Sequence, residues 1–392
     1  MRRVGVEERR ARLARRHHLA TTARASDVVD VARDLVGLHG TDPASIFVSA
    51  AVRMKKPSIA AVERALYEDR TLLRMLGMRR TLFVEPLDLV PVVQSAASHA
   101  VAVRERARLV KFLTEAEIAQ DPGKWLRRVE KAAVEALRAR GDATAAQLGA
   151  DVPDLGKKLV LSRGKKYEAE VSISSRVLLL LAAEGRVVRA QPRGSWISTQ
   201  YRWTTPERWL GSPIVHLPVD EARGALVRRW LRAFGPGTLT DLKWWTGWSA
   251  GEVRKALTSI EPVEAELDGG AVGLMLADDV APVRSPKPWV KLTPSLDATT
   301  MGWKDREWYL GAHGSEVFDR IGNAGPAIWC DGRIVGGWAQ RRDGEIAYRL
   351  LEDIGREATA AVEAAAEAVG ALVGDIRYTP RFPTPLERAL RG

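Results

Sequence analysis

The 392-residue chain is poor in the residues that most often announce chemistry. It has one cysteine, Cys330, and six histidines. A single thiol excludes a disulfide framework and fits a reducing compartment. Cys330 lies inside an apolar run and reads as a small buried hydrophobe. His17, His18, His39, His99, His216 and His313 show no zinc-ligand spacing, so no metal is expected. Long apolar runs are lacking too. The longest near the middle of the chain, VLLLLAA, is far too short to span a bilayer. The N-terminal MRRVGVEERRARLARRHHLA has no apolar core of a signal peptide. A cytoplasmic protein without membrane contact is expected, and a monomer, since no heptad or other dimerisation segment is evident. Negative charge is also short: 49 Asp and Glu face 60 Lys and Arg, a net charge of +11. Such an excess suggests a polyanionic partner, most commonly nucleic acid.

What is present is a repeat. LRARGDATAAQL (Leu137 to Leu148) and LRAFGPGTLTDL (Leu231 to Leu242) share the pattern L-R-A-x-G-x-x-T-x-x-x-L. Glycine ends one helix, threonine caps the next, and the closing leucine packs inward. Each copy follows a helical stretch and precedes a further helix and a hairpin. SSRVLLLLAAEG leads to RVVRAQPRGSWISTQYRW; SAGEVRKALTSI leads to PVEAEL, a Gly-Gly turn and AVGLMLA. Three helices followed by a β-hairpin is the winged-helix plan. The N-terminal part repeats it with SDVVDVARDLVGLHG, PSIAAVERALYED and the hairpin TLLRMLGMRRTLFV. The C-terminal part differs. AIWCDGRIVGGWAQRRDGEIAYRLL has three β-runs separated by Asp-Gly turns, the signal of a meander. An alanine-rich helix and a proline-broken extended segment follow. The expected fold is α+β, with tandem winged-helix domains at 1–118, 119–216 and 217–280 and a C-terminal β-barrel-like domain at 281–392.

The first hairpin carries Arg74, Arg79 and Arg80 and no acid. The second carries Arg186, Arg189, Arg193 and Arg202, again without acid, together with Ser195, Gln200, Trp196 and Tyr201. These residue types contact phosphates or stack on bases. Arg74, Arg79, Arg80, Arg189, Arg193, Ser195, Gln200 and Arg202 are therefore the candidate DNA-binding residues. The third hairpin, VEAELDGGAVG, is acidic and suits a packing role. KWWTGW, Lys243 to Trp248, fits a base-stacking platform or, more commonly, a core.

The ordered set LVGLHGTDPAS, MRRTLFV, EGRVVRAQPRGSW, YRW, LRAFGPGTLTDLKWWTGW, LTPSLDATTMGWKDR, GRIVGGWAQRR and RYTPRFPTPLERAL resembles the winged-helix DNA glycosylases of the AlkZ/YcaQ type. That resemblance covers nearly the whole chain. It implies double-stranded DNA as partner and excision of alkylated purines, including N7-alkylguanine adducts and crosslinks, in base excision repair, with no cofactor. It also implies a catalytic Gln-x-Gln or Gln-x-Asp motif after an early helix, which falls on His39 and Thr41 here. Neither glutamine is present. His39, Thr41 and the neighbouring Asp42 are the candidate catalytic residues: a histidine can orient or activate water, and a carboxylate can stabilise a sugar cation. The same residues can serve as helix caps, with Asp42 ahead of Pro43. A hydrolase with a variant motif and a non-catalytic protein that binds duplex or damaged DNA are the two alternatives.

Overall fold

The computed structural model describes residues 1–161 and 168–391. A short strand β1 (Arg2–Val4) and helix α1 (Val6–Arg16) open the chain. The first unit then runs α2 (Val28–Asp34), β2 (Leu38–His39), α3 (Pro43–Ala51), α4 (Ile59–Glu63), β3 (Leu72–Leu76) and β4 (Leu82–Pro86). Its antiparallel sheet has the order β2-β4-β3. Helices α5 (Val90–Val93) and α6 (His99–Glu115) lead to the second unit. That unit holds α7 (Pro122–Arg140), α8 (Ala145–Asp151), α9 (Pro153–Gly156), β5 (Lys158–Leu161), β6 (Ala169–Ser172), α10 (Ile173–Ala183), β7 (Val188–Pro192) and β8 (Tyr201–Thr204). After α11 (Pro206–Leu210), the third unit comprises α12 (Val219–Phe234), α13 (Leu239–Thr246), α14 (Ala250–Thr258), β9 (Val263–Leu267) and β10 (Val272–Met275).

The sequence repeat is visible as structure. Thr144 and Thr238 each close a capping box, with Gln147 and Asp241 as the reciprocal partners. The residues just before them bridge to the following hairpin, Ala143 to Trp203 and Gly237 to Leu274. Helix, short strand, helices and hairpin thus recur in the second and third units, as in the first. The third unit also takes β1 as a parallel partner of β9, so the N-terminus packs outside the first unit.

The C-terminal part corrects one expectation. Strands β11 (Val290–Thr293), β12 (Ala327–Cys330), β13 (Arg333–Gln340) and β14 (Ile346–Leu350) form an open antiparallel sheet in that order, and among the described residues no sheet closes into a barrel. The meander is there. Helices α15 (Glu307–Leu310) and α16 (Gly314–Val317) lie between β11 and β12, and α17 (Arg356–Val373) and α18 (Pro385–Arg391) follow β14. Helix α17 covers the sheet by burying Val362, Ala366, Val369 and Val373, which removes the need for closure.

Buried ionisable groups occupy two places near His39, an ion pair and a lone carboxyl. The Arg53 guanidinium grips Asp297 through both nitrogens at 2.7 and 2.8 Å, and both side chains are fully buried. Ser49 Oγ and the Thr299 amide also donate to Asp297. Arg53 donates further to the His17 carbonyl, and His17 sits between Thr299 and the Ala233 carbonyl. Burial by itself raises the Asp297 carboxyl; the Arg53 charge and the converging donors outweigh it and keep the group ionised. The network ties α1, α3, α12 and the segment after β11 into one body.

The second group is Glu85 on β4, fully buried, with both carboxyl oxygens unpaired. Gly37 lies directly over it with a φ of +88°, and a β-carbon there would approach Oε1 to 2.3 Å. Only glycine fits that position. Burial, with a smaller contribution from Asp88, pushes the Glu85 carboxyl up to about 8.

Two outcomes follow from these groups. Asp297→Ala strands a buried guanidinium and should cost about 3–5 kcal/mol in denaturant unfolding; a variant within 1 kcal/mol of wild type would show that the pair is dispensable. Glu85 is protonated in the folded protein up to about pH 8, whereas it ionises near 4.5 when unfolded. Its contribution is complete below pH 4.5 and is lost as pH rises toward 8. Glu85→Gln should therefore flatten the fall in melting temperature between about pH 5 and pH 8.

Candidate functional site

His39 ends β2 and pairs with Phe83 across the sheet, its ring 5.7 Å from the phenyl centroid. It is 8% exposed, Nδ1 is buried without a hydrogen-bond partner, and Nε2 bonds to no protein group. Burial, reinforced by the nearby Arg79 charge, pulls the imidazole down to about 3. The ring is neutral at physiological pH. It is not the satisfied polar residue at a helix end that the sequence also allowed.

His39 lines a cleft of about 300 Å³ together with Arg79, Thr81, Trp244, Met301, Lys304, Arg306, Ile321, Gly322 and Asn323. Three cations line it and no carboxylate does. The Trp244 ring lies against both guanidinium groups, with Arg79 at 4.1 Å and Arg306 at 4.8 Å from its centroid. Helix α13 supplies Trp244 and ends at Gly247, whose left-handed backbone leaves room for Arg79; a β-carbon there would meet Arg79 Cγ at 2.9 Å. Arg79 is held near about 10 by burial and by Arg306, so it stays charged. Asp241 carries the opposite wall: besides capping α13, it accepts from the amides of Lys304 and Asp305.

The other two residues of the loop stand apart. Asp42 is 6% exposed and caps α3, accepting from the Ala44 amide at 3.1 Å and from the Arg381 amide at 3.2 Å. Burial raises its carboxyl, and these two amides act against that. The carboxylate is committed to a helix end and to the C-terminal segment, and it does not line the cleft. Thr41 is partly exposed, makes no side-chain hydrogen bond to protein and is also outside the lining.

The hairpin residues divide by depth. Arg74 and Arg189 are buried, over the rings of Tyr201 and Trp203, at 4.7 and 4.5 Å from the centroids. Arg74 joins the first unit to the second, Arg189 packs within its own hairpin, and both are buried away from any phosphate. Trp196 is also core, packed between Phe47 and Tyr378. Arg80 is exposed and paired with Glu105 at 2.8 Å. Arg193, Ser195 and Gln200 are exposed at the tip of the second hairpin, and Arg202 pairs with Asp142. Of the hairpin cations, only Arg79 meets His39 in the cleft. Lys304, Arg306 and Asn323 were not singled out from the sequence, and Trp244 was marked only as part of KWWTGW. WKDR is visibly basic, but nothing in its spacing connects it to a histidine more than 260 positions earlier.

Among the described residues there is no cluster of His, Cys, Asp and Glu able to hold a metal, and no helix is long and apolar enough to cross a membrane.

No curated protein sequence matches this chain. Its fold is similar to that of the Streptomyces sahachiroi DNA glycosylase AlkZ, with a TM-score of 0.72 and 21% identity over 94% of this chain and 97% of that one. The family model for AlkZ-like DNA glycosylases matches residues 32–372, a span that begins within α2 and includes His39, the rest of the first helix-and-hairpin unit, the second and third units, and Lys304 with Arg306. The chain belongs to the AlkZ-like DNA glycosylase family.

Proposed function

We propose that the protein hydrolyses the N-glycosidic bond of N7-alkylated purines in duplex DNA, with His39 holding the attacking water. Supporting this is one observation above all: the residue at the family's motif position is an imidazole with no protein partner, facing a cation-lined cleft. The three helix-and-hairpin units act as winged helices, with Arg80, Arg193 and Gln200 among the phosphate contacts.

The chemistry suits a neutral histidine. An N7-alkylated purine carries a positive charge, so the C1′–N9 bond breaks with its electron pair passing to the base, which leaves neutral. The sugar is left as an oxocarbenium-like cation. Water then forms the new bond to C1′ and loses one proton. With its conjugate acid near 3, His39 is a weak base that orients water through a ring nitrogen and passes the proton on to solvent. The cleft's cations would repel a charged base standing alone. They match the phosphates flanking the lesion, and those phosphates supply the negative charge that the sugar cation needs.

A second reading, duplex binding without cleavage, is favoured by the carboxylate-free lining. Base release separates the two. Duplex containing N7-methylguanine should lose the free base in the presence of wild-type protein. His39→Ala should slow release on the order of 100-fold or more. Asp42→Ala should cost about 1–2 kcal/mol of stability through the lost cap and leave release within a few-fold. Binding with no release by wild type would leave the second reading.

The same assay has a pH signature. Because His39 is already neutral well below pH 5, its release rate should stay flat from about pH 5 to pH 8. An inflection near 6.5, the ordinary histidine value, would show a protonation step that this geometry does not contain.

A further inference from the structure

Ile321 is 80% exposed, the most exposed of the large apolar side chains among the described residues. It does not sit on a slack loop. Phe318 and Ala324 form a β-bridge at the base, and the Asp319 amide donates to the Asn323 carbonyl at 2.9 Å. The Asp319 carboxylate accepts from the amides of Ile321 and Asn323 and from Asn323 Nδ2, at 2.8–2.9 Å. Gly322 turns the chain with a φ of +88°. The Leu296 amide donates to Ala324 and fixes the loop to the segment that carries Asp297. A braced loop that holds an isoleucine out in water forgoes the stabilisation its burial would bring.

The position of the side chain accounts for that arrangement. Ile321 stands at the rim of the His39 cleft. On one side are the cleft's cations, Arg79, Lys304 and Arg306. On the other, Arg320 and Arg388 share a second hollow with it, and both are exposed. An apolar tip between two groups of cations fits a duplex: the cations take phosphates, and the tip enters between base steps. A glycosylase also has to bring its target out of the stack, and the gap left behind needs filling.

We propose that Ile321 is the wedge that enters the base stack beside the target nucleotide and keeps it extruded into the His39 cleft. Ile321 is then a positioning residue. The proposal rests on the glycosylase reading for its target, but unstacking can be read without cleavage.

The test uses full-length protein and two kinds of duplex. One carries 2-aminopurine next to the target site, and its fluorescence rises when the neighbouring base is unstacked. The other carries N7-methylguanine, either paired or in an unpaired bulge that is already unstacked. Wild type should raise the fluorescence. Ile321→Ala should abolish the rise and slow single-turnover release from paired DNA at least tenfold, while release from the bulge stays within twofold. Ile321→Leu should restore both, which a merely misfolded loop would not allow. If wild type gives no rise, or Ile321→Ala gives the full rise, the wedge is overturned. If wild type raises the fluorescence through Ile321 but releases no base, the wedge stands and the hydrolytic reading fails.

Discussion

The Arg53–Asp297 pair is the constraint on which the candidate site depends. Arg53 lies just beyond the end of α3, the helix that starts four residues after His39. Asp297 lies on the segment that continues to Lys304 and Arg306. The two walls of the cleft come from opposite ends of the chain, and this buried, bidentate pair joins them. Its cost in desolvation is offset by the hydrogen bonds that surround it: Ser49 and Thr299 donate to Asp297, and Arg53 donates to the His17 carbonyl. An apolar pair would pack the walls together without fixing their register. The directional fork of an arginine does fix it.

The cleft's electrostatics follow from what is excluded. Asp42, the carboxylate closest in sequence to His39, is used as a helix cap and as an acceptor for Arg381. Asp241 is used in the same manner, capping α13 and receiving the Lys304 and Asp305 amides. With these acids facing inward, no carboxylate lines the cleft beside Arg79, Lys304 and Arg306. Trp244 spaces two of them, its ring face offsetting part of their mutual repulsion. The result is a neutral imidazole among cations, which suits an anionic, phosphate-bearing ligand.

Much of the architecture was legible because it is local. The glycine-to-threonine spacing of the repeat specifies a helix end and a cap within a few residues, and Thr144 and Thr238 do close capping boxes. The Asp-Gly turns marked the C-terminal meander for the same reason. Barrel closure was not legible, since it depends on whether β11 and β14 meet, and α17 covers the sheet instead. Hairpin arginines were read by residue type. Arg74 and Arg193 look alike in sequence, yet one lies over Tyr201 in the interior and the other stands at a tip. Depth is set by how two units pack, which no pattern within either hairpin encodes.

By itself the sequence determined the helix–turn–helix and hairpin units, the cationic excess, the family resemblance and the position of His39. All of these are carried by short-range spacing or by composition. Tertiary structure alone decided that Asp42 caps rather than lines the cleft, that burial makes His39 a neutral acceptor, and that Lys304, Arg306 and Ile321 stand beside it. These depend on contacts between residues hundreds of positions apart, where burial and the nearest charges are properties of the packed chain.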